Sequence, residues 1–347
     1  MTGFTAPLRL RLNGDALVSN WRWLRARGGG AACGAAIKAD GYGLGAAEVM
    51  ARLAAAGCRD FFVSNWAEAA ALEPIADGLS LSVLHGVRDE DMAPALKSRA
   101  RPVLCSIGQI ARWKAAGGGA CDVMVDTGMN RLGLDWGGDV AAMIAGLRVE
   151  TLMSHLASGD EESALNAVQR DRFAALRAVV PARRYSLANS AGICLGEDYA
   201  HDLTRPGVAL YGGVPRGEAK GHIAQVVQPQ AQILQRRRVI AGDTIGYNAT
   251  HEAPADMEVA VLNLGYADGY LRGFSGRGAA VGDGVRLPVI GRVSMDLIAV
   301  DVGAAPHVGE GDWLTIDYAL PQAAAVSGLS QYELLTGLGA RFDRLWN

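Results

Sequence analysis

The sequence predicts an α/β protein, with an N-terminal (β/α)8 barrel over residues 1–222 and a C-terminal, mainly antiparallel β domain over residues 223–347. Three observations predict it. Short apolar runs alternate with longer amphipathic ones eight times across residues 13–211. Beyond about residue 220 the pattern changes to strict apolar/polar alternation broken by Ala-Gly-Asp, Gly-Asp-Gly and Gly-Glu-Gly-Asp turns. The 347 residues also exceed a single barrel of roughly 250 residues by enough for a second domain.

The candidate barrel strands, in order, are 33–37, 61–64, 79–84, 102–105, 121–125, 151–156, 184–187 and 208–211, with helical patterns between them. Short crossovers and their right-handed connection favour a closed parallel barrel over an open sheet. Polar residues directly after these strands then crowd one rim: Lys38, Asn65, His85, Asp126, Arg131, His155, Asn189, Ser190 and Arg205. Barrel enzymes build their sites on that rim. In the second domain the clearest strands are 230–234, 257–264, 286–293 and 312–317, and residues 331–338 read as a short helix.

The stretch AAIKADGYGLG, residues 35–45, is the most informative. A buried strand end is followed by Lys38, then Gly41, Gly43 and Gly45 relax the backbone before a helical pattern resumes at Ala46. An amine among small apolar residues loses hydration, which lowers its pKa and makes it a usable nucleophile. Imine formation with an aldehyde follows from such chemistry, and pyridoxal phosphate is the commonest protein-bound aldehyde of that kind. The residues alone also allow a solvated loop lysine.

Composition bounds the function classes. Half the residues are hydrophobic and a fifth are charged, as suits a large buried core. A net charge of −3, with no basic run longer than Arg236-Arg237-Arg238, speaks against a nucleic-acid partner. The five cysteines are widely spaced, odd in number and never in a C-x-x-C pair, which predicts reduced core thiols and no metal site. No apolar segment of signal or membrane-span length appears, so the expected location is the cytoplasm.

Nine segments in order, AAIKADGYGLG, DTGMNRLG, SHLASGD, LANSAG, TRPGVALYGG, TIGYNAT, LGYADGYLR, GRVSMD and the Tyr332-Glu333 pair, resemble the bacterial alanine racemases nearly end to end. The resemblance implies pyridoxal 5'-phosphate as cofactor, L-alanine and D-alanine as substrates, and supply of D-alanine for peptidoglycan. It implies Lys38 as the imine-forming lysine and the base on one face of the substrate Cα, with Tyr247 as the base on the other. A phenol needs cationic help to act as a base near neutrality, and His155 and Arg205 are the candidates for it. The resemblance also implies that Arg205 faces the pyridine nitrogen. It donates a hydrogen bond there without giving up its proton, which disfavours side reactions. Tyr42, Ser190, Gly207, Val208 and Tyr332 match the family's phosphate contacts, and Arg131 with the Met295 backbone amide its carboxylate contacts. Tyr266, Arg272 and Arg292 match an entry corridor. The family pattern further implies a homodimer whose sites are shared between subunits.

Two departures stand out. Where the family frequently has a lysine, carbamylated in many members and orienting the carboxylate-binding arginine, this chain has Met124, and a thioether carries no charge. The cysteine often found in GRxCMD is Ser294. A racemase for serine or for a broader set of amino acids therefore stays open. A non-catalytic pyridoxal-phosphate carrier would lack the second domain that supplies Tyr247. A decarboxylase relative would need its own catalytic cysteine, and Cys194 falls in the helix after LANSAG.

Overall fold

The computed structural model describes residues 5–347. The chain forms two compact units. One comprises Leu17–Leu210 and Val214–Ala224. The other comprises residues 5–16, Tyr211–Gly213 and Gln225–Asn347.

The first unit is the parallel barrel. Its strands run Ala35–Ala36, Asp60–Val63, Ser80–Val83, Arg101–Leu104, Cys121–Asp126, Val149–Met153 and Arg184–Ser186, each hydrogen-bonded to the next in that order. Apolar side chains dominate, as in a sheet covered on both faces: Phe61, Val83, Val103, Val123 and Leu152 have no exposure. The eighth strand is Leu203–Thr204, parallel to Ala32–Cys33. It joins both ends of the sheet, because Asp202 N donates to Tyr185 O and Gly34 N to Thr204 O. The expected strand at Val208–Tyr211 is instead a 3-10 turn. The reason is local: Pro206 has no amide to give a ladder, and the amides of Gly207 and Ala209 turn toward the Ser190 hydroxyl. The first strand breaks at Gly34, where any Cβ would lie 2.8 Å from the Asp60 carbonyl.

The second unit is antiparallel. Strands Met257–Leu262, Ile298–Asp301, Val285–Ile290, Ala279–Gly282, Trp313–Ile316 and Val227–Val239 pair successively, and the last returns to pair with the first, which closes a six-stranded barrel. Val227–Val239 spans both sides of this ring by way of a register shift between Ile233 and Gln235. Strand Leu8–Leu12, which sequence order assigned to the N-terminal domain, belongs here, since it pairs with Val227–Val239 and with Asp343–Trp346. Its Leu8, Leu10 and Leu12 point inward and are almost fully buried. The short C-terminal helix is Gln331–Thr336, begun by a capping box between Ser330 and Glu333.

Candidate active site

Lys38 follows the first barrel strand after Ile37 and opens an unusual turn. Ala39, Asp40, Gly41, Tyr42 and Gly43 all have positive φ, so the chain makes a left-handed turn in which three of the five residues carry a Cβ. That conformation costs about 1–2 kcal/mol for each non-glycine residue. Hydrogen bonds compensate: Gly41 N donates to Ile37 O at 2.8 Å, the Asp40 carboxylate accepts from Ala46 N at 2.8 Å, and Glu68 accepts from Ala39 N at 3.0 Å and Ser64 N at 2.7 Å. The turn holds Lys38 half-buried at the rim. Burial lowers the pKa of its amine, and Arg131 and Arg205 add to the effect against the opposing pull of Glu68. More of the amine is therefore neutral, and nucleophilic, near pH 7 than for a free lysine.

Arg205, one of the cations acting on this amine, is 6 % exposed. One guanidinium nitrogen donates to the Ser186 hydroxyl, and the other to the Ser154 carbonyl at 2.5 Å. No carboxylate lies within ion-pair distance of it among the described residues. Burial brings its pKa down to about 10, so it stays charged at neutral pH and keeps further N–H groups to offer. His155 titrates at about 3, because burial, and then Arg205, Arg131 and Lys38, all oppose its protonation. Near neutral pH these surroundings favour the neutral imidazole, with Arg131 and Arg205 as the cations beside it.

A second cluster sits at the last two strands. Ser190, buried at the start of helix Ser190–Leu195, accepts from the amides of Gly207 at 2.8 Å and Ala209 at 3.3 Å. The Tyr42 hydroxyl occupies the space of the missing side chain at Gly207, where a Cβ would stand 2.2 Å from it. Hydroxyls and backbone amides converge there with no acidic side chain among the groups named, a donor set that fits a phosphate. Val208 opens the 3-10 turn beside them. Arg131 is exposed, and its guanidinium has no hydrogen-bond or carboxylate partner among the described residues. Its loop is shaped by Asp126, whose carboxylate accepts from the amides of Gly128, Met129 and Arg131. Of the other rim residues, Asn65 and Asn189 are helix caps, and His85 pairs with Ser64.

In the β unit, Tyr247 tips a hairpin between Thr244–Ile245 and His251–Glu252 and is 64 % exposed. Gly291 lets the segment bearing Arg292 approach that hairpin, since a Cβ there would lie 2.8 Å from the Ile245 carbonyl. The segments carrying Tyr266 and Met295 are joined by backbone bonds, Tyr266 N to Ser294 O at 3.0 Å and Ala267 N to Met295 O at 3.0 Å. Arg272 stacks over the Tyr266 ring at 5.3 Å. Arg341, not anticipated from sequence, clamps both turns: it binds buried Asp268 through two nitrogens at 2.6 and 2.8 Å, and Asp296 at 2.7 Å. Gly269 packs closely on Gly337, which brings the helix carrying Tyr332 beside the same turn. Tyr247, Tyr266, Arg272, Arg292, Met295 and Tyr332 are thus linked through neighbouring segments of one unit, while Lys38, Tyr42, Arg131, His155, Ser190, Arg205, Gly207 and Val208 belong to the other.

The family description "Alanine racemase, N-terminal domain" matches residues 12–215, and "Alanine racemase, C-terminal domain" matches residues 226–346. An alanine racemase of Methylobacterium nodulans is 44 % identical over 358 residues, covering 97 % of this chain and 95 % of that protein. A protein named as a catabolic alanine racemase, from Mesorhizobium japonicum, is 40 % identical over 353 residues, covering 96 % and 92 %. Among solved structures, the alanine racemase of Bartonella henselae with covalently bound pyridoxal phosphate superposes with a TM-score of 0.91 at 32 % identity, covering 99 % of this chain and all of that one. Two family domains matched in order across almost the whole length, with relatives at 40 % identity or more over both, place the chain in one group: it belongs to the alanine racemase family.

Proposed function

We propose that this chain interconverts L-alanine and D-alanine with pyridoxal 5'-phosphate bound on the barrel rim, and that it supplies D-alanine for peptidoglycan. The observation that carries the reading is the desolvated Lys38 amine standing within electrostatic reach of Arg205 and Arg131. Lys38 would hold the cofactor, and Ser190, Tyr42 and the amides around Gly207 would hold its phosphate. When bound, the cofactor withdraws electrons from the substrate and so acidifies the Cα–H bond.

The chain's own residues do the rest. Lys38 Nζ takes or returns the Cα proton on one face, and the Tyr247 hydroxyl does so on the other. Two bases are needed because a single base tends to return the proton to the face it left. Arg205 would present N–H groups to the cofactor and keep its own proton, so it would donate a hydrogen bond there and no proton, which favours return of the proton at Cα. Arg131 and the Met295 amide would bind the carboxylate with charge-assisted bonds. We also propose a homodimer in which the β unit of one subunit supplies Tyr247 to the other. Exposure of Tyr247, of Met295 at 53 % and of Tyr332 at 41 % supports that reading.

The test is an assay of purified protein against a panel of L-amino acids with chiral analysis of the products. L-alanine is expected to be racemised with a kcat/KM about ten- to a hundredfold above that for L-serine, the range by which a small pocket discriminates an added hydroxyl. A preference for serine would transfer the assignment to a serine or broad-specificity racemase. No D-enantiomer from any substrate would remove the racemase reading.

A further inference from the structure

Helix Ala164–Val179 buries Asn166, Gln169, Phe173 and Leu176, a stripe at helical spacing in which an amide is costly unless fully bonded. Gln169 has no exposure, and its amide is bonded at both ends. Its Oε1 accepts from Ala157 N at 2.8 Å, while Nε2 donates to His155 O at 2.9 Å and to Thr127 Oγ1 at 3.2 Å. Thr127 Oγ1 also lies 2.7 Å from Ser154 Oγ, and the Thr127 carbonyl accepts from Arg172 on the same helix at 2.9 Å. Ser154 in turn offers its carbonyl to Arg205. One buried amide therefore touches the backbone of His155 and the segment that continues into the Arg131 loop. Nothing else among the described residues fixes the Arg131 guanidinium, and Met124, two residues before Asp126 on the adjoining strand, brings no charge to it.

We propose that Gln169 is a positioning residue for substrate recognition: its bonds to Thr127 and His155 set where the Arg131 loop presents its guanidinium to the substrate carboxylate. The proposal rests on the racemase reading, because that reading supplies the carboxylate. Arg131 cannot be steered from its tip, so it is steered from its backbone. Asp126 gathers the loop amides, and Gln169 and Arg172 hold Thr127 between that carboxylate and the helix.

The test compares wild type, Gln169→Leu, Gln169→Glu and the control Asn166→Leu as cofactor-loaded enzymes. Asn166 is buried on the same helix but bonds Ser158 O at 3.0 Å and Glu161 O at 3.1 Å, contacts that do not lead to Arg131. Gln169→Leu is expected to raise KM for L-alanine about tenfold, and to weaken binding of propionate, alanine's skeleton without its amine, by a similar factor in calorimetry. Its kcat should change less than about threefold and its cofactor absorbance should persist. Asn166→Leu should lower Tm comparably yet leave KM within about twofold. Gln169→Glu keeps the acceptor for Ala157 N and regains a donor only when protonated, which burial favours. Its KM, relative to wild type, should therefore shrink as pH is lowered, and this variant decides the matter if Gln169→Leu does not fold. Unchanged KM and propionate affinity in both Gln169 variants, or an equal rise in Asn166→Leu, would overturn the proposal with the racemase reading intact. A wild-type enzyme that racemises nothing would overturn both.

Discussion

Lys38→Ala is expected to reduce racemisation by about 10⁴-fold, the upper end of what loss of a general base costs, because the same substitution removes the covalent hold on the cofactor. The Lys38 turn explains why no neighbour takes over. Asp40 and Glu68 are committed to backbone amides that stabilise the left-handed conformation, and Arg131 and Arg205 are cations. Borohydride treatment of the wild type should link the cofactor irreversibly to the peptide containing Lys38, and peptide mapping should find no label in the variant. A label on any other peptide would mean that the anchoring lysine has been misassigned. The fold is expected to survive, since Lys38 is half-buried and belongs to no ion pair among the described residues.

Tyr247→Phe is expected to lower kcat/KM by about 10²–10⁴-fold, again the range for one general base. The two enantiomers have equal free energy, so kcat/KM must fall by the same factor in both directions, and rate loss alone says nothing about which face Tyr247 serves. Hydrogen exchange does. In D2O the variant should still exchange the Cα hydrogen of D-alanine with solvent through Lys38, with configuration retained, while exchange from L-alanine is lost. Cofactor content should be unchanged, because Tyr247 is not among the residues proposed to hold the cofactor, and the Gly207 and Ser190 cluster lies in the barrel unit. Mixing this variant with Lys38→Ala subunits should restore about a quarter of wild-type activity if sites are shared: half of the dimers are then mixed, and each has one intact site of two. No recovery after demonstrated subunit exchange would mean that each chain completes its own site.

Much of this arrangement was legible in the residues. Parallel strands buried on both faces leave continuous apolar runs, and seven of the eight barrel strands fall where such runs occur. The eighth did not show itself, because Leu203–Thr204 is only two residues long, while the apolar 208–211 stretch looks like a strand and is a 3-10 turn. In the β unit only part of Val227–Val239 was recognisable, since its second half carries Arg236, Arg237 and Arg238 on exposed or half-exposed positions. Strands Leu8–Leu12 and Asp343–Trp346 find their partners at the far end of the sequence, so local pattern could not assign them to a domain.

The ordered motifs named the candidate site residues, but not the side chains that support them. Asp268 meets Arg341 across 73 positions, and Thr127 meets Gln169 across 42, with nothing in local sequence to pair them. Gln169 left one usable sign, an amide in the apolar stripe of its helix. The lowered pKa of His155 was likewise out of reach, because it depends first on burial in the folded barrel and then on three cations drawn from separate segments.

The central claim is that protons leave and arrive on opposite faces of one carbon, and the wild-type reaction in D2O tests it most directly. L-alanine is incubated with the enzyme, and both enantiomers are analysed by mass spectrometry at early conversion. D-alanine should carry deuterium at Cα from the first turnovers, while the remaining L-alanine keeps its hydrogen. D-alanine that retains the substrate's own hydrogen would show a single base carrying the proton across, and would contradict the division between Lys38 and Tyr247.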